Sequence, residues 1–221
     1  ETETKVIVLG LDGMDPNIVS PMMRDGKMPN FSRMAREGYF GPLGTSTPPQ
    51  SPVAWANVIT GANPGRHGIF DFIHRDPATY LPYLSTSKSE PAQKSITVGD
   101  YVIPLSSGKI HDLRRGRAFW EVLEDYEVPA TIFKMPSNFP PTATRQRTFS
   151  GMGTPDILGT YGMFSYYTDH PLEIDTDLGG GRFYNVSVNN HTVKAALVGP
   201  KNTYRKGTPD AALDFTVYRD P

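Results

Sequence analysis

Short apolar runs alternate with helical patterns over about the first 160 residues. Residues 5–11 (KVIVLGL) form a continuous, β-branched run, which is typical of a strand buried in a parallel sheet. Residues 130–135 predict a second buried strand, and a further strand is predicted near 39–44. Spacing and end signals predict helices at four places: 17–25, 30–37, 52–60 and 119–123. Because strands and helices alternate, we expect an α/β core.

The pattern changes near residue 160, after which strands follow one another with no convincing helix between them. These strands are predicted over 161–168, 182–188, 191–198 and 212–218. We therefore divide the chain into two parts. Residues 1–159 form the α/β core, which holds the candidate catalytic residues, and residues 160–221 form a β-rich accessory region, either an extension or an insertion.

The charge balance argues against a polyanionic partner. The 221 residues carry 22 basic and 23 acidic side chains, a net charge of −1, whereas binding to a nucleic-acid backbone needs concentrated Lys and Arg. We expect no nucleic-acid polymer as a partner, while a small phosphorylated ligand is compatible with this charge. No apolar run approaches the roughly 18 residues of a membrane helix, so we expect no membrane span.

Cysteine is absent, which excludes thiol catalysis, disulfides and cysteine zinc sites. This absence fits either side of a membrane and leaves the compartment unknown, with an extracytoplasmic (periplasmic or secreted) location favoured. The chain starts at Glu1 instead of Met, and its last predicted strand stops close to Pro221. From these ends we expect an incomplete part of a larger fold, whose partner is the rest of the same protein beyond Pro221.

Asp12 directly follows the first predicted strand. In open α/β sheets, ligands bind beyond the carboxyl ends of the strands, and a carboxylate at that point suits Zn, Mg or Mn. Asp12 or Asp15 could instead cap the following turn. Position alone does not separate these two interpretations.

Ser51 precedes Pro52 at the start of a predicted helix. Serine at the N-cap followed by proline is a common helix start, so this pair alone favours a structural role. A hydroxyl at a helix N-terminus has a second property, because the N–H groups of Val53 and Ala54 would point at an anion that Ser51 attacks. No base lies beside Ser51 in the sequence, so metal activation is the expected route to a nucleophile.

The other candidate residues carry weaker signals. The five histidines are scattered and form no HxxxH or HExxH pair. Asp169-His170 could supply metal ligands, but the strand context favours the start of a loop. The cluster of Arg114, Arg115 and Arg117 is interpreted as a solvated loop. No P-loop or dinucleotide-binding glycine pattern occurs.

Residues 6–15, 28–38 and 47–69 carry recognisable motifs. The most specific is TPPQSPVAWANVITG followed by NPGRHGI, with a defined spacing from Ser51 to the Thr-Gly and His-Gly pairs. A weaker match covers 119–141. Together these stretches resemble the alkaline phosphatase superfamily and, within it, the type I phosphodiesterase/nucleotide pyrophosphatase branch.

The resemblance implies a fold, a cofactor and an activity. The fold would be an alkaline-phosphatase-like core with a mainly parallel sheet flanked by helices. The cofactor would be two divalent metal ions, usually zinc, with Asp12 matching a ligand of one ion and Ser51 matching the nucleophile that also contacts metal. The activity would be metal-dependent hydrolysis of a phosphorylated small molecule, most simply a phosphodiester, through a phosphoseryl intermediate.

Three departures from the family pattern affect the implied site. Phe72 stands where, by count, nucleotide pyrophosphatases have an Asn that holds a phosphate oxygen. Pro52 lacks the N–H that follows the nucleophile in those enzymes, so we expect Val53 and Ala54 to bind phosphate instead. The remaining metal ligands of the family (an Asp with a nearby His, an Asp-His pair and a further His) are not found, and we expect them beyond Pro221.

Two other functions stay open from the sequence. A phosphomutase of the same superfamily would use the same phosphoseryl step but would return a rearranged phosphate, which product analysis would detect. A non-catalytic binding or structural module would use Ser51 only as a helix cap. Phosphorylated Ser51 trapped at low pH would exclude that second alternative.

Overall fold

The structure is a computed structural model that describes residues 4–170 and 180–220. The helices are α1 (Pro16–Arg24), α2 (Pro29–Glu37), α3 (Ser51–Thr60), α4 (Pro64–His67) and α5 (Phe119–Asp125). The strands are β1 (Ile73–Arg75), β2 (Pro82–Leu84), β3 (Ser87–Glu90), β4 (Ser95–Val98), β5 (Tyr101–Pro104), β6 (Lys109–Asp112), β7 (Thr131–Phe133), β8 (Arg147–Phe149), β9 (Phe164–Thr168), β10 (Gly181–Asn185), β11 (Val188–Asn189), β12 (Thr192–Lys201) and β13 (Asp210–Tyr218). Within the described ranges, no helix combines the length and apolar character that crossing a membrane requires.

The chain divides into two compact units, each assembled from several segments. The first unit comprises Glu1–Thr86, Leu113–Ser137 and Thr142–Phe149. The second comprises Ser87–Asp112, Asn138–Pro141 and Ser150–Pro221. The division into residues 1–159 and 160–221 that the sequence predicts stays a prediction.

The predicted helices are confirmed, with small shifts at their ends. The predictions at 17–25, 30–37 and 52–60 correspond to α1, α2 and α3, and the prediction at 119–123 lies within α5. Gly61 ends α3 with a φ of 62°, a left-handed conformation that glycine adopts without strain. Asp15 caps α1 by accepting a hydrogen bond from the Asn17 N–H at 2.8 Å.

A mainly parallel sheet is not found in residues 4–170 and 180–220. Their strands form six small sheets of two or three strands. The pairs β7–β8 and β9–β10 are parallel, and the remaining pairs are antiparallel. The mixed α/β content is as predicted, but the expectation of one mainly parallel sheet is corrected.

The apolar run at 5–11 is not a buried strand. It has no regular secondary structure, and no strand in the described part of the chain pairs with it. Ile7 is 93% exposed and Val8 is 81% exposed, so successive side chains both reach solvent. A β-branched run favours the extended backbone, but burial also requires neighbouring strands. Residues 39–44 likewise have no strand in the structure.

Helix α3 contributes to both apolar clusters of the first unit. One cluster consists of Val53, Ala56 and Ile69. The other consists of Ile59, Ala118, Trp120 and Ile132. Full burial of an aliphatic side chain stabilises a fold by about 1.5–3 kcal/mol, so α3 is anchored along most of its length. Its first residue is therefore held in a defined place.

Residues 87–112 leave the first unit and return to it at the same point. The Leu113 N–H donates to the Thr86 carbonyl at 3.0 Å. Next to this bond, β3 pairs antiparallel with β6, starting from Ser87 opposite Asp112. The two ends of the 87–112 segment are therefore adjacent.

The second unit is β-rich, as predicted for the region after residue 160. The four predicted strands correspond to β9, to β10 with β11, to β12 and to β13. β12 pairs antiparallel with both β11 and β13. Asn190 and His191 join β11 to β12 with φ angles of 47° and 58°, which is typical of a type I′ hairpin turn. Tyr167 stacks on Tyr184 between β9 and β10, with ring centroids 4.8 Å apart.

Candidate active site

The structure brings Asp12 and Ser51 together. The Ser51 hydroxyl donates to Asp12 Oδ1 at 3.2 Å, although the residues lie 39 positions apart. Asp12 is exposed and Ser51 is half-buried. The contact therefore places a hydroxyl and a carboxylate side by side where a ligand from solvent can reach them.

Ser51 is the first residue of α3. Gln50 occupies the N-cap and makes no side-chain hydrogen bond to the helix, so the predicted cap position shifts by one residue. Pro52 follows in the first turn, where its missing N–H leaves no helical bond unmade. The hydroxyl of Ser51 thus contacts Asp12 and does not cap its own helix.

The N–H groups expected to hold a phosphate are already bonded. Val53 and Ala54 donate to the Gln50 carbonyl at 3.0 and 2.9 Å. An N–H engaged in the first helical turn is not available to a phosphate oxygen, so this conformation does not support the expectation for these two residues. Pro52 has no N–H, and the Ser51 N–H has no hydrogen-bond partner within the described ranges.

Asp12 and Asp15 have different roles in the structure. Asp15 caps α1, whereas Asp12 lies in the preceding turn and contacts Ser51. Gly13 follows Asp12 with a φ of 69°, a conformation that favours glycine. The turn-capping interpretation therefore applies to Asp15, and Asp12 has the contact that a site residue needs.

A buried hydrogen-bonded chain supports the first turn of α3. The Ser137 hydroxyl donates to the Pro52 carbonyl at 3.4 Å, and Arg114 Nε donates to the Ser137 carbonyl at 3.4 Å. Arg114 also donates to the Gly116 carbonyl at 3.3 Å. Because Arg114 is only 8% exposed, its interpretation as part of a solvated loop is wrong. Arg114 Nη2 also donates to the Thr142 hydroxyl at 3.5 Å, and no local sequence pattern indicated these distant acceptors.

His67 is a buried structural residue that sequence reasoning left without a role. The Ile69 N–H donates to Nδ1 at 3.1 Å, and the Asn57 side-chain amide lies 2.7 Å from Nε2. Burial, and next the nearby charge of Arg114, lowers the pKa of His67, so the ring is neutral near pH 7. Both ring nitrogens are therefore engaged in hydrogen bonds. The sequence feature that could have indicated a role for His67 is the NPGRHGI segment.

Asp12 and Ser51 provide oxygen donors, which suit a divalent cation. They provide only part of a metal site, because the described residues contain no group of three or more His, Asp or Glu side chains that could hold a metal ion. Asp169 and His170, considered as ligands from the sequence, contact each other at 2.7 Å. Asp169 also lies 3.5 Å from Arg219, so this pair belongs to a local ionic cluster.

The mixed α/β fold is compatible with an alkaline-phosphatase-like domain. The chain belongs to the type I phosphodiesterase / nucleotide pyrophosphatase family, whose model matches residues 6–196. This family is part of the alkaline phosphatase superfamily. It implies a hydrolase that acts on phosphodiester or pyrophosphate bonds of phosphorylated small molecules. Comparisons with curated proteins and with solved structures gave no match.

Proposed function

We propose that the protein is a metal-dependent phosphodiesterase with Ser51 as its nucleophile. The observation that carries the proposal is the hydrogen bond from Ser51 to Asp12 at the start of α3. Membership of the family supports the class of bond that is hydrolysed.

The proposed reaction passes through a phosphoseryl intermediate. Ser51 Oγ attacks phosphorus, a bond forms between them, and the bond from phosphorus to the leaving alcohol breaks. The proton of Ser51 is lost to solvent, and the leaving alcohol takes up a proton from solvent. Water then cleaves the phosphoserine, which releases a phosphate monoester and restores the hydroxyl.

Asp12 is proposed as a ligand of one of two divalent ions, most simply zinc, with the Ser51 oxygen as a second donor. A bound ion would lower the pKa of the hydroxyl and offset the charge of the phosphate. A two-metal site requires more ligands than these two residues provide. We propose that the missing ligands lie in sequence beyond Pro221.

The N-terminus of α3 is proposed to attract the phosphate group. Aligned peptide dipoles leave a partial positive charge at this end of the ten-residue helix. The Ser51 N–H is the donor that remains for a phosphate oxygen, because those of Val53 and Ala54 are bonded to Gln50. Phosphate would therefore be held mainly by metal ions and by the helix end.

The direct test is to trap the intermediate in the full-length protein. The protein is incubated with a bis-aryl phosphate and zinc, quenched in acid, digested and analysed by mass spectrometry. We expect an aryl-phosphoryl adduct on the peptide that contains Ser51, and none in Ser51→Ala. Thr45→Ala is the matched control, since Thr45 is an exposed hydroxyl residue six positions earlier. An adduct on another residue, or turnover that persists in Ser51→Ala, would overturn the assignment.

A further inference from the structure

The segment that carries Asp12 is attached to α3 by side chains. The backbone of residues 4–14 makes no hydrogen bond within the described part of the chain. Two contacts connect the segment to α3. One is the hydrogen bond between Asp12 and Ser51, and the other is the approach of the Trp55 indole to the backbone of Gly10. Side-chain contacts with α3 therefore help to position Asp12.

The contact at Gly10 leaves no space for a side chain. A Cβ atom added to Gly10 would lie 2.5 Å from Trp55 Cη2 and 3.0 Å from Cζ3. Real Cβ atoms do not come this close to ring carbons, whose favourable separation is about 3.5–4.0 Å. Glycine is thus required at position 10 for the indole to lie where it does.

The two contacts have matching spacing. Ser51 and Trp55 are four residues apart in α3, so they lie on one face about 6 Å apart along the axis. Gly10 and Asp12 are two residues apart, and two residues of chain reach at most about 7 Å. The helix can therefore hold the segment at two points, with Gly10 against Trp55 and Asp12 against Ser51.

Trp55 belongs to neither apolar cluster of the first unit, and it is half-buried. Its indole lies close against the backbone of Gly10. We propose that Trp55 and Gly10 form a positioning pair that sets the Asp12 carboxylate against the Ser51 hydroxyl. The consequence for catalysis rests on the proposed function, whereas the consequence for geometry does not.

Disulfide trapping tests the geometry without any activity measurement. Residues 1–221 contain no cysteine. An Asp12→Cys/Ser51→Cys double variant of the full-length protein therefore has the engineered pair as the only cysteines in this part of the chain. The measured quantity is the rate of disulfide formation under a mild oxidant, followed by mass spectrometry of the linked peptides. Disulfide geometry is narrow, so this rate reports how well residues 12 and 51 are held together.

We expect Gly10→Ala and Trp55→Ala each to slow trapping by about 10-fold or more, because bond formation demands specific geometry. Trp55→Phe should restore part of the rate. In the Trp55→Ala background, Gly10→Ala should add little, because the clash is gone. Gly44→Ala is the matched control, since a Cβ there meets no atom within 4 Å. Tyr126→Ala removes an exposed aromatic residue from the same unit and should leave the rate unchanged.

Unchanged trapping in both Gly10→Ala and Trp55→Ala would overturn the positioning pair. If Gly10→Ala fails to fold, as judged by circular dichroism, the Trp55→Ala and Trp55→Phe variants still decide the question. In full-length protein with residues 12 and 51 intact, misplacement should lower kcat by about 100-fold with a smaller change in KM, and Trp55→Phe should recover kcat in part. Slowed trapping in a protein without phosphodiesterase activity would refute the proposed function and leave the positioning pair standing.

Discussion

Substitution of Ser51 by alanine separates a catalytic role from a structural one. As a helix cap, Ser51 would contribute about 1 kcal/mol to stability. In the structure, however, Gln50 is the N-cap, and the Ser51 hydroxyl makes an exposed hydrogen bond to Asp12. The two roles therefore predict different balances between lost stability and lost activity.

The expected loss of stability is small. A hydrogen bond of this kind contributes about 0.5–1.5 kcal/mol net, and alanine regains up to about 0.5 kcal/mol through its higher helix propensity. The net change in the free energy of unfolding should lie between about 0 and 1 kcal/mol, with a shift in Tm of at most about 4 °C. By contrast, removal of a nucleophilic serine can lower kcat by about a million-fold.

The assay compares hydrolysis of a bis-aryl phosphate with thermal unfolding, both in the full-length protein. Ser51→Ala should abolish measurable turnover and change Tm only slightly, and Thr45→Ala should resemble the wild type in both. Turnover in Ser51→Ala within about 10-fold of wild type would refute the nucleophile assignment, because loss of the attacking atom costs far more. A large fall in Tm would show that the residue is mainly structural.

Three further predictions concern the metal, the isolated chain and acid stability. Asp12→Asn should reduce the metal retained after dialysis, because the amide keeps the shape of the side chain without its charge; unchanged stoichiometry would exclude the ligand role. Residues 1–221 expressed alone should bind little zinc, lack activity and self-associate through the exposed apolar run at 5–11, whereas two tightly bound ions and robust turnover in a monomer would contradict this. The free energy of unfolding should fall as pH drops below about 6.5, because the pKa of buried His67 is lowered and the unfolded state takes up the proton first. His67→Gln should flatten this slope in pH-dependent denaturation, while substitution of exposed His191 should leave it unchanged.

The local features of the site could be predicted from the sequence. Asp12 was placed by the end of an apolar run, and Ser51 by the start of a helix followed by proline. Both assignments use near neighbours in the chain, which is where periodicity and capping preferences act. The 3.2 Å hydrogen bond between them places the two separately predicted residues side by side.

The features that failed depend on distant neighbours. Residues 5–11 have the composition of a buried strand, but burial depends on strands that pair with them. The engagement of the Val53 and Ala54 N–H groups depends on the exact start of α3, which is uncertain by one or two residues in sequence reasoning. The contact between Gly10 and Trp55 joins residues far apart in sequence, so no local pattern could indicate it.

The hydrogen bond between the two ends of the 87–112 segment has a consequence for how the gene can change. Thr86 and Leu113 flank the 87–112 segment and are hydrogen-bonded to each other. For this segment, the first unit therefore requires only that these two residues meet. The entropy cost of closing a flexible loop grows slowly, by about 0.6 kcal/mol for each doubling of its length. Insertions in the connections between the paired strands of this segment therefore cost little loop-closure entropy, whereas deletions within β3 or β6 would break the pairing next to this bond. Homologous genes can gain codons in these connections while the encoded proteins keep the contact between Asp12 and Ser51.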